Sequence, residues 1–269
     1  MKKRLPSIEF PEGAVRPKFS VVIPTYNCGL SIGWTLETLA EQDYEEVEVI
    51  VVDAGSTDRT VEVVQRSRAK NLKVYTIAER NPFEMYNRGI SLATGDYVTM
   101  LYPGDAYLSD DVFNWIGATA VDGELPEMVY CGCLRRDPGR EPETLMRELT
   151  MEHLQRAEQP TSIEACFFRL DTIRALGKFD PQYRVRGGLD LCCRFMLQED
   201  LRAIFLRRVL VDHDRPFQMP GTLIRRALEN HRILVEHFGW RYSLRWWLRQ
   251  DHWRFFRWWI KSKRLKLWT

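Results

Sequence analysis

Apolar residues along the first half of the chain fall into short runs, separated by stretches with helical periodicity. The β-branched and apolar runs predict strands at 19–23, 47–52, 72–77 and 96–101. The segments between and after them predict helices near 30–42, 57–70, 83–94 and 110–119. Strands that alternate with helices of about a dozen residues indicate βαβ units, so this half is expected to form a mostly parallel sheet flanked by helices.

The second half of the chain is less regular. Strands are predicted at 126–130 and 164–168, followed by a strand pair at about 202–211. Helices are predicted at 171–176, at 188–199 and beyond Met219, with a break at Gly239. Proline and charge are frequent in 134–162, which indicates a loop with one short helix, a candidate acceptor-side insertion. The predicted organisation is an irregular lead-in (1–18), an α/β domain (19–238) and a helical tail (239–269).

Charge is divided unevenly between this tail and the rest of the chain. The segment 240–269 holds nine Lys and Arg against Asp251 alone, within a chain whose formal net charge is +2. Seven of the nine tryptophans lie in the same segment. The chain is therefore divided by composition into a mildly acidic domain and a basic, Trp-rich terminus.

The cysteines and the N-terminus indicate the cellular compartment in which the protein is expected. The six cysteines show no paired C-x-x-C spacing, so buried free thiols in a reducing compartment are expected. The N-terminus has basic residues but no apolar region before its first prolines, which argues against a secretory leader. No run reaches the ~18 apolar residues that a spanning helix needs. The predicted location is the cytosol or the cytosolic face of a membrane.

Small and polar residues follow the first two strands, at the point where each ends. Pro24, Thr25 and Tyr26 follow the first strand, and Asp53, Gly55 and Ser56 follow the second. Ligands of parallel α/β sheets bind beyond the carboxyl ends of the strands, so these six residues are expected to lie together where a nucleotide would bind. As an alternative, Ser56, Thr57 and Asp58 could cap the following helix.

A nucleotide site must hold a diphosphate, yet the chain has neither of the usual glycine-rich phosphate loops. A divalent cation with hard oxygen ligands is the alternative. The strand at 96–101 leads into Tyr102-Pro103-Gly104-Asp105, which offers one carboxylate. The competing interpretation is an ordinary turn aspartate after Pro-Gly.

These strand ends, the stretch from Asn87-Arg88-Gly89 to Asp96, and Gly187-Gly188-Leu189-Asp190 occur in an order and spacing that resembles inverting GT-A glycosyltransferases of the family-two type. The resemblance covers roughly residues 18–238. It implies a GT-A Rossmann-like fold, a nucleotide-sugar donor (UDP preferred) and Mn²⁺ or Mg²⁺. Tyr102 and Gly104 stand where the family commonly has Asp, and Ala54 replaces a second acid after Asp53.

The resemblance also assigns roles to single residues. Asp105 would hold the metal and Gly104 would lie at the nucleotide. Asp190 would be the general base for an acceptor hydroxyl, with a helix N-cap carboxylate as the alternative. His213 would be a second metal ligand, or a loop histidine bonded to Asp212 or Asp214. Arg88 would contact phosphate or ribose, or remain a solvated helix residue. Pro220-Gly221-Thr222 resembles the flexible segment that covers the nucleotide.

The tail carries a separate prediction. Trp253, Phe256 and Ile260 recur at helical spacing beside Arg254, Arg257 and Lys261, a pattern typical of a helix in a membrane interface. An anionic membrane surface and a lipid-linked saccharide acceptor follow from that interpretation. The alternative is a terminal helix that packs on the catalytic domain or on a second copy of it.

Two other classes of function stay open. The chain could be a non-catalytic, membrane-associated relative or scaffold, although the retention of both Asp105 and Asp190 favours an enzyme. Nucleic-acid binding through the basic tail is disfavoured, because the rest of the chain is acidic and no recognition module is present.

Overall fold

The computed structural model describes residue 10 and residues 13–136, 141–214 and 220–249, and it forms an α/β fold around one nine-stranded sheet. The strands are β1 Phe19–Thr25, β2 Val47–Asp53, β3 Leu72–Thr76, β4 Tyr97–Met100, β5 Ala106–Tyr107, β6 Met128–Arg136, β7 Glu143–Leu145, β8 Cys166–Arg169 and β9 Ala203–Asp214. The helices are α1 Ile32–Ala40, α2 Thr60–Gln65, α3 Pro82–Leu92, α4 Val112–Asp122, α5 Met151–Leu154, α6 Leu170–Ala175, α7 Gly187–Met196, α8 Pro220–Phe238 and α9 Trp240–Arg249.

The sheet has a parallel half and a mixed half. Strand order is β3-β2-β1-β4-β8-β6-β9-β5, with β7 paired to β6. The pairs among β3, β2, β1 and β4 are all parallel, as the alternation of strands and helices predicts. On the other side, β8 runs antiparallel to both β4 and β6, and β5 runs antiparallel to β9. The predicted α/β architecture, with helices flanking a sheet that is parallel in its first half, is therefore confirmed.

Apolar side chains cover both faces of the parallel half. Every residue of β1 and β2 is buried, and both strands are mostly apolar, as expected for parallel strands that are covered on both faces. Val22 faces α3, where a Cβ added to Gly89 would lie 2.1 Å from Val22 Cγ1. Glycine at position 89 thus lets α3 approach the sheet closely. This contact fixes the helix that carries Phe83 and Tyr86.

Three predicted elements differ from the structure. The strand pair expected at 202–211 is one long strand, β9, which pairs in parallel with β6. The helix expected at 57–70 is only α2, because Ser56 to Asp58 form a loop first. The loop expected at 134–162 contains the end of β6 and the short strand β7.

The C-terminal helical prediction holds as far as the structure describes it. Gly239 separates α8 from α9 with a φ of 89°, a left-handed conformation that favours glycine. The predicted interfacial residues from Trp253 onward lie outside the described residues. Within the described part, no helix combines the length and the apolar character needed to cross a membrane.

Candidate active site

The carboxyl ends of β1 and β2 bring three predicted nucleotide-binding residues together. Thr25 and Asp53 are register partners, and Thr25 Oγ1 donates to Asp53 Oδ1 at 2.9 Å. The Ser56 backbone N–H donates to Asp53 Oδ2 at 2.8 Å, and the Ser56 hydroxyl donates to Oδ1. Gly55 allows this turn with a φ of 74°. Asp53 is therefore buried, and its carboxylate holds the turn together by accepting these hydrogen bonds. Pro24 is buried at the end of β1.

Tyr26 and a residue that the sequence did not single out form the exposed side of this edge. The guanidinium carbon of Arg80 lies 4.1 Å from the centroid of the Tyr26 ring, within cation–π range. Asn27, with a φ of 47°, accepts from the Thr57 backbone N–H through its side-chain oxygen at 2.8 Å. The edge thus presents an aromatic ring, a guanidinium and an ordered turn at the surface.

Asp105 lies in a tight turn beyond β4. The Gly104 backbone has a φ of 108°, and its N–H donates to Thr35 Oγ1 at 2.9 Å. The Tyr102 N–H donates to Asp105 Oδ2 at 2.7 Å, while the Asp105 N–H donates to the Tyr102 carbonyl at 2.9 Å. The Asp105 carboxylate is fully buried, which is unusual for a simple turn residue. Neighbouring protein groups or a bound cation must therefore compensate the charge of the Asp105 carboxylate.

Two further side chains meet this carboxylate. Nδ1 of His213 lies 2.9 Å from Asp105 Oδ1 and 3.8 Å from Glu164 Oε2. One ligand atom from each of the three residues lies within 4.8 Å of the others. Antiparallel pairing of β5 with β9 puts Ala106 opposite Asp212, so Asp105 and His213 occupy neighbouring positions in that ladder.

Buried charge determines the protonation of this group, which we call the acidic cluster (Asp105, Glu164 and His213). Burial raises the pKa of Asp105, and the hydrogen bond to His213 partly offsets that rise. Burial alone would lower the pKa of His213, but the carboxylates of Glu164 and Asp105 raise it well above its usual value. The imidazolium therefore donates to Asp105 at neutral pH and supplies part of the positive charge that two buried carboxylates require.

A cavity of about 550 Å³ lies against the acidic cluster. Glu164, His213 and Tyr102 form part of its wall, and Phe83 and Tyr86 of α3 add aromatic surface. The other lining residues come from β6 and the segment 143–163, from the loop before α7, and from the first turns of α8. Arginines from these parts are Arg135, Arg147, Arg184, Arg186 and Arg226.

One buried carboxylate holds the loop before α7 in place. Glu229 of α8 accepts from the backbone N–H groups of Arg184, Val185 and Arg186 at 3.0, 2.9 and 2.8 Å. The Arg186 side chain is itself buried and donates to Asn230 of the same helix at 2.6 Å. Helix α8 therefore fixes the cavity wall that precedes α7.

Arg88 is not brought into this site. It is exposed on α3, and it is not among the described residues that line the cavity. Its neighbour Asn87 has a structural role, because its amide donates to the Phe179 carbonyl at 2.7 Å and accepts from the Phe179 N–H at 2.9 Å. In the structure Arg88 is an exposed helix residue, which agrees with the alternative interpretation. The contact of Arg88 with the nucleotide stays a prediction.

Asp190 lies on α7 behind the cavity wall. Gly188 lines the cavity, whereas Asp190 is buried with both oxygens engaged. Arg194 Nε and Nη2 donate to Oδ2 at 2.9 and 2.7 Å, and His237 Nε2 lies 2.8 Å from Oδ1. Burial alone would raise the pKa of Asp190, but His237 and Arg194 hold it below its usual value. The role of general base stays a prediction, and this geometry adds a competing structural role that joins α7 to α8.

The fold and the site together define a Rossmann-like sheet with a polar edge at the ends of β1 and β2 and a candidate metal cluster. Residues 20–116 match the model of the family described as Glycosyl transferase family 2. A relative is the PGL/p-HBAD biosynthesis glycosyltransferase of Mycobacterium tuberculosis (strain H37Rv), 24% identical over 213 residues. That alignment covers 77% of this chain and 81% of the relative.

Solved structures agree on the fold. S. aureus TarS 1–349 in complex with UDP-GlcNAc superposes with a TM-score of 0.65 at 20% identity, and the match covers 84% of this chain and 73% of that 1–349 chain. A mannosyltransferase from Pyrobaculum calidifontis, in complex with GDP-Man and Mn²⁺, gives 0.62 at 22% identity, covering 87% and 67%. Residues 20–116 therefore resemble the family-2 glycosyltransferases, and the chain has the fold of these solved structures, the GT-A fold.

Proposed function

We propose that this protein transfers a sugar from a nucleotide-diphosphate sugar, with UDP as the preferred nucleotide, to a hydroxyl group of a saccharide or lipid-linked acceptor. The observation that carries the proposal is the acidic cluster, which lies beyond β4 beside a cavity of about 550 Å³. The nucleotide would bind along Tyr26, Asp53 and Ser56. Its diphosphate would then extend towards Asp105, and the sugar would enter the cavity.

A divalent cation fits the acidic cluster. Two carboxylates and an imidazole within 4.8 Å form a donor set that suits Mn²⁺, since the nitrogen ligand favours it over Mg²⁺. Asp105, Glu164 and His213 would hold the ion, and a bound cation would replace the proton on His213. When bound, such an ion would neutralise the charge that develops on the departing diphosphate.

The proposed nucleotide rests on the ligands of the two solved structures. TarS is known with UDP-GlcNAc, whereas the archaeal mannosyltransferase is known with GDP-Man and Mn²⁺. The platform of Tyr26 and Arg80 is compatible with either base, because stacking is tolerant of base identity. UDP is the preferred proposal because TarS, which has the higher TM-score of these two structures, is known with UDP-GlcNAc.

Inversion is a further part of the proposal. A carboxylate must then take the proton of the acceptor hydroxyl as the hydroxyl attacks. Asp190 is the residue that the resemblance assigns, and it would serve only after the contact with His237 opens, because both oxygens are engaged. The stereochemistry of the product tests inversion independently of which residue is the base.

The remaining partners are proposals as well. Residues 19–238 would form the catalytic unit, and the basic, Trp-rich segment 240–269 would attach the protein to the cytosolic face of an anionic membrane. The acceptor would then be a lipid-linked saccharide presented at that surface. A homodimer through the same segment is the competing arrangement.

A nucleotide panel tests the proposal. Thermal unfolding would be followed with UDP, GDP, CDP and dTDP, each with and without Mn²⁺. A nucleotide at about 100 times its Kd stabilises the folded state by about 2.7 kcal/mol, and this gain should be greatest for UDP with Mn²⁺.

Turnover separates an enzyme from a binding module. UDP release from a panel of UDP-sugars should depend on Mn²⁺ in the parent protein and be lost in Asp105→Asn. Nucleotide binding without release, even with acceptor saccharides present, would instead support the non-catalytic alternative.

A further inference from the structure

Helix α9 exposes one apolar and one cationic row side by side. Trp240, Leu244 and Leu248 follow one another at intervals of four residues, with exposed fractions of 64%, 48% and 51%. Arg241, Arg245 and Arg249 follow the same interval one position later, and all three are exposed. Residues four apart lie on the same side of a helix, so the two rows form adjacent stripes. We call these six residues the α9 outer face.

The opposite side of α9 is fixed against the protein. The turn at Gly239 lets α9 fold back on α8, and Ser243 is buried between the two helices. Its hydroxyl lies 2.5 Å from Nδ1 of His231 on α8. Trp246 packs against the hydrophobic core. The outer face therefore has a defined orientation, set by contacts on the other side of the helix.

Helix α8 adds apolar surface to the same hairpin. Ile224 and Leu228, four residues apart, have exposed fractions of 64% and 58%. Arg225 and Arg232 are also exposed on this helix. Large apolar side chains that stay exposed together with a concentration of arginines are typical of a surface that contacts another phase or partner.

We propose that the α9 outer face docks on an anionic lipid bilayer and lies in the plane of its interface. Charge complementarity selects this occupant, because the cationic row would meet acidic headgroups while the Trp ring and the leucines enter the boundary of the acyl chains. A helix of ten residues is about 15 Å long, too short to cross a ~30 Å hydrocarbon core, so it would lie along the surface.

The same hairpin reaches the cavity. Thr222 and Arg226 of α8 line it, and Glu229 holds the loop before α7 that forms another part of its wall. A bilayer bound by α9 would therefore hold the cavity at a fixed place relative to the lipid surface. Resting on the proposed function, this arrangement favours an amphipathic acceptor whose lipid part stays in the bilayer while its polar end enters the cavity.

Vesicle co-sedimentation of the full chain, without nucleotide, tests the docking surface. The parent should bind POPC/POPG vesicles and not POPC vesicles. Leu244→Glu/Leu248→Glu should weaken binding by about tenfold or more, because it puts charge into the apolar row. Leu30→Glu, at a fully exposed leucine elsewhere, is the matched control and should bind like the parent.

The cationic row is tested separately. Arg241→Ala/Arg245→Ala should weaken binding to POPC/POPG vesicles on the order of 30-fold, since each basic residue near an anionic surface contributes about a fivefold factor. Arg59→Ala/Arg66→Ala, at exposed arginines of the α2 region, is the matched control. An unchanged thermal midpoint shows that each variant is folded.

Three outcomes would overturn the proposal. One is a parent that does not bind anionic vesicles, and another is a Leu244→Glu/Leu248→Glu protein that is folded yet binds like the parent. The third is a parent dimer in sedimentation velocity that the same variant converts to monomer, since the face would then be covered by a second copy. None of these measurements requires donor binding, so they fail or succeed independently of the transferase activity.

Discussion

His213 at the end of β9 donates a hydrogen bond to Asp105 beyond β4, with Nδ1 and Oδ1 2.9 Å apart. The two residues are separated by 108 positions in the sequence and are joined by the pairing of β5 with β9. Asp105 is fully buried and the His213 side chain is only 14% exposed, so the imidazolium supplies charge that the buried carboxylate needs. The contact also predicts that a bound cation must displace a proton.

Glu164 should be a ligand of that cation. Glu164→Gln keeps the size of the side chain but removes one negative charge from the acidic cluster. We expect Mn²⁺ to be needed at concentrations at least tenfold higher for the same nucleotide-dependent stabilisation, an effect of the size seen when metal sites are perturbed. Titration of Mn²⁺ at saturating UDP, followed by thermal unfolding, measures this change.

The matched control is Glu62→Gln, because Glu62 lies on the surface of α2 and pairs only with arginines in the described contacts. Equal Mn²⁺ requirements for the parent, Glu164→Gln and Glu62→Gln would remove Glu164 from the site. Asp105 and His213 would then have to hold the ion without it.

Asp190→Asn should destabilise the protein at neutral pH. Asp190 pairs with Arg194 and His237 in a buried setting, so its loss should cost about 3 kcal/mol of unfolding free energy, the lower end for a broken buried ion pair. Because the folded-state pKa lies below the unfolded value of about 3.9, this stabilisation is fully present above that value. It is lost as the pH falls through the folded pKa.

Urea unfolding at pH 7 and near pH 3 checks this prediction, with the exposed Asp200→Asn as the control. The gap between parent and Asp190→Asn should shrink at the lower pH. If the variant is instead as stable as the parent at pH 7 while kcat falls by about 10²–10⁴, Asp190 acts as the general base and its structural role is minor.

Gly89→Ala should loosen the packing of α3 on the sheet. The added methyl group would lie 2.1 Å from Val22 Cγ1, so the unfolding free energy should fall by about 1–3 kcal/mol. In Val22→Ala/Gly89→Ala the new methyl group occupies the space vacated by valine. The double variant should therefore be more stable than the sum of the single effects predicts, and a strictly additive cycle would contradict the close contact.

The parallel half of the sheet could be predicted from the sequence, because buried parallel strands are continuous apolar runs and the helices between them are periodic. The same logic located Thr25, Asp53 and Ser56 at one edge, where they form one hydrogen-bonded turn. Asp105 could be identified as a strand-end carboxylate. These inferences depend on local pattern and on the rule that parallel strands share an edge.

Contacts that depend on long-range pairing could not be predicted. Glu164 joins Asp105 because β8 lies between β4 and β6, an order that no local pattern specifies. The local signal is an acidic residue at the start of the strand predicted at 164–168, which the structure places just before β8. The helical spacing of Asp190 and Arg194 is readable, but the approach of His237 from α8 is not.

The central claim is that Asp105 anchors a metal-dependent nucleotide site, and calorimetric titration of UDP in the presence and absence of Mn²⁺ tests it most directly. The parent and the exposed control Asp110→Asn should bind UDP more tightly with Mn²⁺. Asp105→Asn should remain folded and show no Mn²⁺-dependent gain, because the buried carboxylate that meets the cation is gone. Asp105→Asn binding UDP with the same Mn²⁺-dependent gain as the parent would contradict the account.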